Sequence, residues 1–207
     1  MQNNIFILVG FIQIILIVFM QWQSYISTTI KTFDLSSWIL GIFLLAIGII
    51  NREPTLIILA ILTILTRAIF IPRYLLKTIK KDIWRVRESK NPLGVSLSII
   101  ISICLALFSY GLYSIALSNS GSVLESIPIT LMLQGAFLII SKSNAYNQLI
   151  GYLVMENSIF LFGYIFSGLP FIVEAGIVLD ILGIVLVSSI IMRLRKENID
   201  NEEELYG

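Results

Sequence analysis

The chain has 207 residues, of which 57% are hydrophobic and only 13% are charged, and its net charge is +1. A soluble domain usually carries about 25% charged residues, so this composition, with a mean hydropathy of +0.93, excludes a soluble globular protein. Backbone polar groups in lipid must be satisfied within the spanning segment, which favours helices. We therefore predict an all-α, polytopic membrane protein with almost no extramembrane domain.

Seven apolar stretches, bounded by polar or turn-forming residues, predict seven transmembrane helices. About 20 consecutive apolar residues cross the hydrocarbon core as a helix, and the boundaries carry Asn, Gly, Ser or Pro, which favour turns. The second stretch is short. The predicted spans are 4–26, 36–50, 54–72, 94–118, 126–141, 145–167 and 171–193.

The distribution of basic residues predicts the orientation of these spans. With the N-terminus outside, 12 of the 14 basic residues fall on one side, as the positive-inside rule expects of the cytoplasmic side. We therefore expect a multi-pass protein of a prokaryotic cytoplasmic membrane, with the acidic tail at 195–207 in the cytoplasm. The inner segment 73–90 alternates basic and apolar residues at helical spacing, which favours a helix on anionic lipid over a docking surface for a soluble partner.

Three carboxyl groups, Glu156, Glu174 and Asp180, lie inside the last two predicted spans, whereas the other acids fall in loops, at span ends or in the tail. A charge at membrane depth costs at least ~2.5 kcal/mol, and proteins that keep such groups usually bind or relay ions with them. In an antiparallel hairpin, Glu156 would lie ~20 Å, Asp180 ~15 Å and Glu174 ~6 Å from the turn. We expect these acids to relay protons; the alternative is that each is protonated and hydrogen-bonded across a helix interface.

Other polar groups in or beside the predicted spans have simpler interpretations. Arg67 and Lys142 are candidate accessory charges of the site. Arg67 can either snorkel to the headgroups or pair with one of the acids, and the simpler interpretation of Lys142 is an ordinary interfacial lysine. Gln13 and Gln134 are expected to make helix–helix contacts. The chain shows no phosphate-binding loop or metal-ligand spacing, and with no histidine and the single cysteine Cys104 we expect no disulfide and no cofactor.

Two acidic motifs resemble component E of hydrogenase 4. They read Gln148-Leu149-Ile150-Gly151-Tyr152-x-x-Met155-Glu156-Asn157 and Val173-Glu174-x-Gly176-Ile177-x-x-Asp180. Weaker matches extend the resemblance over essentially the whole chain: a basic residue, an apolar run and a proline at 66–72, and an apolar stretch ending in a polar turn at 135–143. This family is related to the K subunit of complex I and to the C subunit of multisubunit sodium/proton antiporters.

The resemblance implies a division of the chain and positions for its acids. Residues 123–194 correspond to the three-helix K-type unit, and residues 1–122 to the four-helix extension typical of component E. Glu174 matches the K-type acidic position in the last helix, and Asp180 matches the component E pattern. The other K-type glutamate would fall at Leu153, where this chain departs from the pattern, and Glu156, three residues later, can restore the charge on the same face.

By this resemblance the chain is a non-catalytic membrane subunit of a group 4 nickel–iron hydrogenase or a related complex-I-like assembly. Its neighbours in the membrane would be antiporter-like subunits, with the redox chemistry in a nickel–iron and iron–sulfur peripheral arm, and no nucleic acid is implied. Two other functions stay open. One is a subunit of a cation/proton antiporter without redox chemistry, and the other is a structural scaffold in which protonated acids join subunits.

Overall fold

The structure is a computed structural model that describes residues 2–79, 93–116 and 123–165, together with the single helical residues 178, 182, 183, 185 and 189. This described part is all-helical and contains no β-strand. Its elements are α1 (Gln2–Trp22), α2 (Ile26–Asn51), α3 (Pro54–Thr63), a π-helix (Ile64–Phe70), α4 (Ile71–Ile79), α5 (Val95–Ala116), α6 (Val123–Ser141) and α7 (Ala145–Ile165). Because α3, the π-helix and α4 follow one another without a break, we call them together the third helix.

Four helical stretches of the described ranges are long and apolar enough to cross a membrane. They are Asn3–Trp22, Ile26–Asn51, Pro54–Lys77 and Val95–Tyr113, and Ser126–Ser141 is a shorter apolar helix. A stretch of about 20 residues matches the thickness of the hydrocarbon core, so these helices are compatible with a membrane protein. The total of seven spans, their orientation and the division at residue 122 stay predictions.

The predicted start of the second span at residue 36 is wrong, because α2 begins at Ile26. The polar residues that suggested a break are accommodated inside the helix. Thr29 donates to the carbonyl oxygen of Tyr25 at 3.3 Å and Thr32 to that of Thr28 at 3.0 Å, bonding that allows threonine to stay within a helix.

The predicted end of the third span at residue 72 is also wrong, since the helix continues through Pro72 to Ile79. Proline lacks an N–H and crowds the preceding turn of a helix. The turn before Pro72 has the wider π geometry, in which the N–H of Ile71 bonds to the carbonyl oxygen of Thr66, five residues back. Residues 73–79 of the basic segment extend this helix, and 80–90 lie outside the described residues.

Glycines bring α6 and α7 into a close hairpin. A Cβ added to Gly135 would lie 2.9 Å from the carbonyl oxygen of Gly151, and one added to Gly151 would lie 2.8 Å from that of Gly135. Small residues of this kind allow helix backbones to approach closely in membranes. The hairpin therefore fixes α7, which carries Glu156, against α6.

The third helix packs antiparallel against α2. Gly41 of α2 lies against Ile64, and Gly48 lies against Ile57. The helix α2 also contacts α7. The π-helix and α7 are therefore both held against α2, and this arrangement sets the position of the site.

Candidate functional site

Arg67 lies in the middle of the π-helix, and 0% of its surface is exposed. Insertions of π geometry in a helix occur frequently at functional sites. A completely buried guanidinium does not reach lipid headgroups, so the snorkelling interpretation of Arg67 is wrong. The side chain is directed into the helix bundle instead.

The guanidinium of Arg67 binds one face of α7. Its Nη2 donates to Oε2 of Glu156 at 2.7 Å, and its Nη1 donates to Oδ1 of Asn157 at 2.6 Å and reaches the carbonyl oxygen of Leu153 at 3.5 Å. Its Cζ lies 4.4 Å from the centre of the Phe160 ring, within the range of a cation–π interaction. These four partners follow the i, i+3, i+4 and i+7 spacing of a single helix face.

Glu156 is as deeply buried as its partner, with 1% of its surface exposed. The last predicted span reaches it at Gly183, where an added Cβ would lie 3.5 Å from Oε2 of Glu156 and 3.5 Å from Cδ2 of Leu153. The backbone at residue 183 therefore lies directly over the carboxylate. A side chain larger than a methyl group at this position would press on it.

The Arg67–Glu156 pair meets the conditions under which buried charges are tolerated. An isolated buried charge is very costly, whereas a paired and hydrogen-bonded one is kept in native proteins. The planar guanidinium supplies several donors in a fixed fork, so Arg67 can bond Glu156 and Asn157 at the same time. The arrangement holds one positive and one negative charge in contact inside an apolar bundle.

Lys142 is not an interfacial lysine, because only 2% of its surface is exposed. Its Nζ donates to the carbonyl oxygen of Gln23 at 2.9 Å, and its own carbonyl oxygen accepts from Nε2 of Gln148 at 3.0 Å. Beside it, the hydroxyl group of Ser141 donates to Oε1 of Gln21 at 2.9 Å. Lys142 thus links the turn between α6 and α7 to the end of α1.

The structure brings together two of the five predicted site residues. Arg67 and Glu156 form the ion pair, whereas Lys142 lies near the start of α7, ~16 Å along the helix from Glu156. Glu174 and Asp180 lie outside the described residues. Across the ranges that are described, no cluster of three or more His, Cys, Asp or Glu could hold a metal ion.

Both predicted amide contacts are confirmed. Nε2 of Gln13 donates to the carbonyl oxygen of Ser36 at 2.8 Å, joining α1 to α2. Nε2 of Gln134 donates to that of Ser102 at 3.3 Å, joining α6 to α5.

Sequence reasoning missed two residues that bind Arg67 and misplaced one acid. Asn157 and Phe160 bind Arg67, and their signal was the shared face that they form with Glu156 on α7. Asp34, placed in a loop by the short second span, lies within α2.

The comparisons with known proteins leave the family open. The chain is similar to the protein named "Uncharacterized protein Rv0085" of Mycobacterium tuberculosis, with 25% identity over 154 residues, covering 72% of this chain and 70% of that protein. No protein-family model matches the chain, and no solved structure matches it.

Proposed function

We propose that the chain is a non-catalytic membrane subunit of a complex-I-like or group 4 nickel–iron hydrogenase assembly, and that its buried carboxyl groups take part in proton translocation. The observation that carries this proposal is the ion pair of Arg67 and Glu156, both buried. Ionisable groups at membrane depth are rare, and they mark ion pathways.

The resemblance to component E supports the same function. Arg67 belongs to the stretch 66–72 and Glu156 to the stretch 148–157, two separate parts of the sequence that carry the resemblance. Arg67 and Glu156 are 89 residues apart in the sequence, and a 2.7 Å hydrogen bond joins them in the structure. A proton-handling role for Glu156 therefore involves the N-terminal part of the chain as well as the K-like part.

In the proposed mechanism, Glu156 is the proton-binding group and Arg67 controls it. While Nη2 of Arg67 donates to Oε2, the carboxylate is held in the ion pair. A shift of the guanidinium toward Asn157 and the Leu153 carbonyl oxygen would remove this bond and release the carboxylate to bind a proton. Redox chemistry in other subunits would drive the shift, and Glu174 and Asp180 would pass the proton on.

The test is Glu156→Gln in the assembled complex. The amide keeps the size of the side chain and an acceptor for Arg67, but it cannot take up a proton. We expect assembly and electron transfer to persist while proton translocation falls by roughly tenfold or more. The complex would be reconstituted in vesicles, and translocation followed with a pH-sensitive dye during redox turnover.

The matched control is Glu53→Gln, which removes a carboxyl group just before α3 and away from the ion pair. It should leave translocation unchanged. Full proton-coupled turnover in the Glu156 variant would contradict the proposal.

The same experiment separates the two other functions. A subunit of a cation/proton antiporter would use the buried pair without an electron donor, so translocation would follow a sodium gradient in resting vesicles. A structural scaffold predicts that Glu156→Gln impairs assembly or has no effect, and that it never abolishes translocation alone.

A further inference from the structure

A line of buried polar side chains follows the interface of α1 and α2. We call it the polar seam, and its members are Gln13, Gln23, Thr32, Ser36, Ser37 and Lys142, all of which are buried. Polar side chains are costly in an apolar interior unless they are hydrogen-bonded. The seam is separate from the Arg67–Glu156 contact and calls for its own explanation.

Hydrogen bonds join five of the six members of the seam in two groups, Lys142 with Gln23 and Thr32, and Ser36 with Gln13. Nζ of Lys142 donates to the carbonyl oxygen of Gln23 at 2.9 Å, and Nε2 of Gln23 donates to the Thr32 hydroxyl group at 2.8 Å. Ser36, one turn after Thr32 on the same face of α2, donates to Oε1 of Gln13, and Nε2 of Gln13 donates to the Ser36 carbonyl oxygen at 2.8 Å. The line thus runs from the α6–α7 turn to α1 and then along α2.

Ser37 brings the seam to the height of the ion pair. It lies one turn before Gly41 on the same face of α2, and Gly41 lies against Ile64. The third helix is antiparallel to α2, so a residue one turn before Gly41 lies opposite a residue about one turn after Ile64. Ser37 is therefore at about the height of Arg67.

Several buried polar atoms along this line have no hydrogen-bond partner within the described part of the chain. They are Nε2 of Gln21, Oε1 of Gln23, Oγ of Ser37 and Nδ2 of Asn157. Buried polar atoms in native proteins nearly always bond to protein or to ordered water, and a buried water typically bonds to about three of them. The atoms extend from Gln21, near Lys142, to Asn157, beside Arg67, and a row of water molecules would satisfy them.

We propose that the polar seam is hydrated and gives protons access to Glu156 from the turn between α6 and α7, where Lys142 lies. Apart from Lys142 at its entrance, the route would be supplied by the first two helices, in the N-terminal part of the chain. Hydration of the seam is independent of the proposed function, whereas the role of the seam in proton transport rests on the proposed function of Glu156.

Hydration can be tested with single-cysteine variants of the full complex in sealed vesicles. Cys104→Ser removes the cysteine of this chain, so that labelling is read on this chain after its separation from the other subunits, and Ser37→Cys and Ser109→Cys make the same change at two serines with 0% exposure. Ser109 is the matched control because it lies off the seam, paired with Thr130. Thr32→Cys is a second seam position if Ser37→Cys does not assemble.

The probe is a small, charged methanethiosulfonate reagent added to one side of the vesicles at a time. The reactive species is the thiolate, which requires water, so we expect the seam cysteine to react about tenfold faster than Cys at position 109. Reaction should occur from only one side, the side of the α6–α7 turn. Equal rates at both cysteines, or reaction of the seam from the opposite side, would overturn the proposed route.

The transport role is tested by Ser37→Val, with Ser109→Val as its control. An apolar branched side chain in the seam would displace water, so we expect slower proton translocation than in the control variant. If Glu156→Gln abolishes translocation but Ser37→Val leaves it at full rate, the access route is wrong and the proposed function stands. If Glu156→Gln leaves translocation intact, the proposed function is wrong, and the labelling rates still decide whether the seam is hydrated.

Discussion

Arg67 and Glu156 depend on each other because both are buried and each is the charged partner of the other. Replacing a buried ion pair by apolar residues can be neutral, whereas removing one partner leaves a buried charge uncompensated. The aromatic ring of Phe160 and the amide of Asn157 soften this effect for Arg67, since both contact the guanidinium. The positive charge that faces the Glu156 carboxylate is that of Arg67, so we expect loss of Arg67 to be the more damaging change.

Arg67→Met tests this dependence. The variant keeps a long apolar side chain but leaves the Glu156 carboxylate without its guanidinium, and we expect a loss of about 3–5 kcal/mol in the free energy of unfolding. Unfolding of the purified protein by a denaturing detergent would measure the loss.

Adding Glu156→Gln to Arg67→Met should restore part of the lost stability, because no buried charge then remains unpaired. Arg52→Met, at an exposed position between α2 and α3, should change stability by less than about 0.5 kcal/mol. A double variant as unstable as the sum of its single changes would show that the two residues act independently.

At the scale of helices, the sequence predicts elements well where apolar runs end in turn-forming residues. Spans 126–141 and 145–167 correspond to α6 (Val123–Ser141) and α7 (Ala145–Ile165) within a few residues. The prediction for α2 was wrong because threonine hydroxyls bond inside the helix. The sequence alone does not show that a polar side chain bonds to its own helix rather than to water.

The partner of Arg67 was harder to predict than the helices. The sequence left open that Arg67 pairs with an acid. The identity of that acid depends on the packing of two helices whose paired residues lie 89 positions apart in the sequence. The π-helix carries Arg67 and so helps to determine which residues it reaches. A widened turn within an apolar run leaves no periodic signal in the sequence, so it could not be predicted. The burial of Lys142 was missed for a related reason, since its acceptor is a backbone carbonyl group.

The α6–α7 hairpin gives a prediction at this scale. Gly135→Val should separate the two helices, because an added Cβ already lies 2.8 Å from Cγ of Met155 and 2.9 Å from the Gly151 carbonyl oxygen. We expect a loss of stability of about 1–3 kcal/mol, typical of overpacking. The same detergent unfolding assay measures it.

Gly111 supplies the control for this change, because a Cβ added there meets no atom of the described residues within 4 Å. Gly111→Val should therefore cause a much smaller loss. If the two valine variants are equally stable, the close approach of α6 and α7 does not contribute to stability.

At the scale of the whole molecule, much of the apolar surface faces outward. On α5, Ile115 is 80% exposed and Leu107 is 68% exposed, and α5 contacts α1 and α6 on its other side. Soluble monomers rarely expose contiguous apolar patches of more than a few hundred Å². This exposed apolar surface is compatible with a membrane protein.

The proposed function predicts which proteins accompany the chain. Purification of a tagged chain in mild detergent, followed by mass spectrometry, should recover antiporter-like membrane subunits together with a nickel–iron large subunit and iron–sulfur proteins. Recovery of antiporter-like subunits alone would favour the cation/proton antiporter. Recovery of a stable, solitary chain would contradict both proposals about its partners.

The π-helix around Arg67 has a consequence for how the sequence can change. Its five-residue bond, from Ile71 to Thr66, encloses one residue more than an α-helical bond does. Deleting a single residue between Ile64 and Phe70 would allow an uninterrupted α-helix, and α3 and α4 would keep nearly their present orientation, because the widened turn holds one residue more than an α-helical turn. Such a deletion leaves the apolar composition of this span almost unchanged, yet it would move the side chains within the turn, including Arg67, away from their present neighbours.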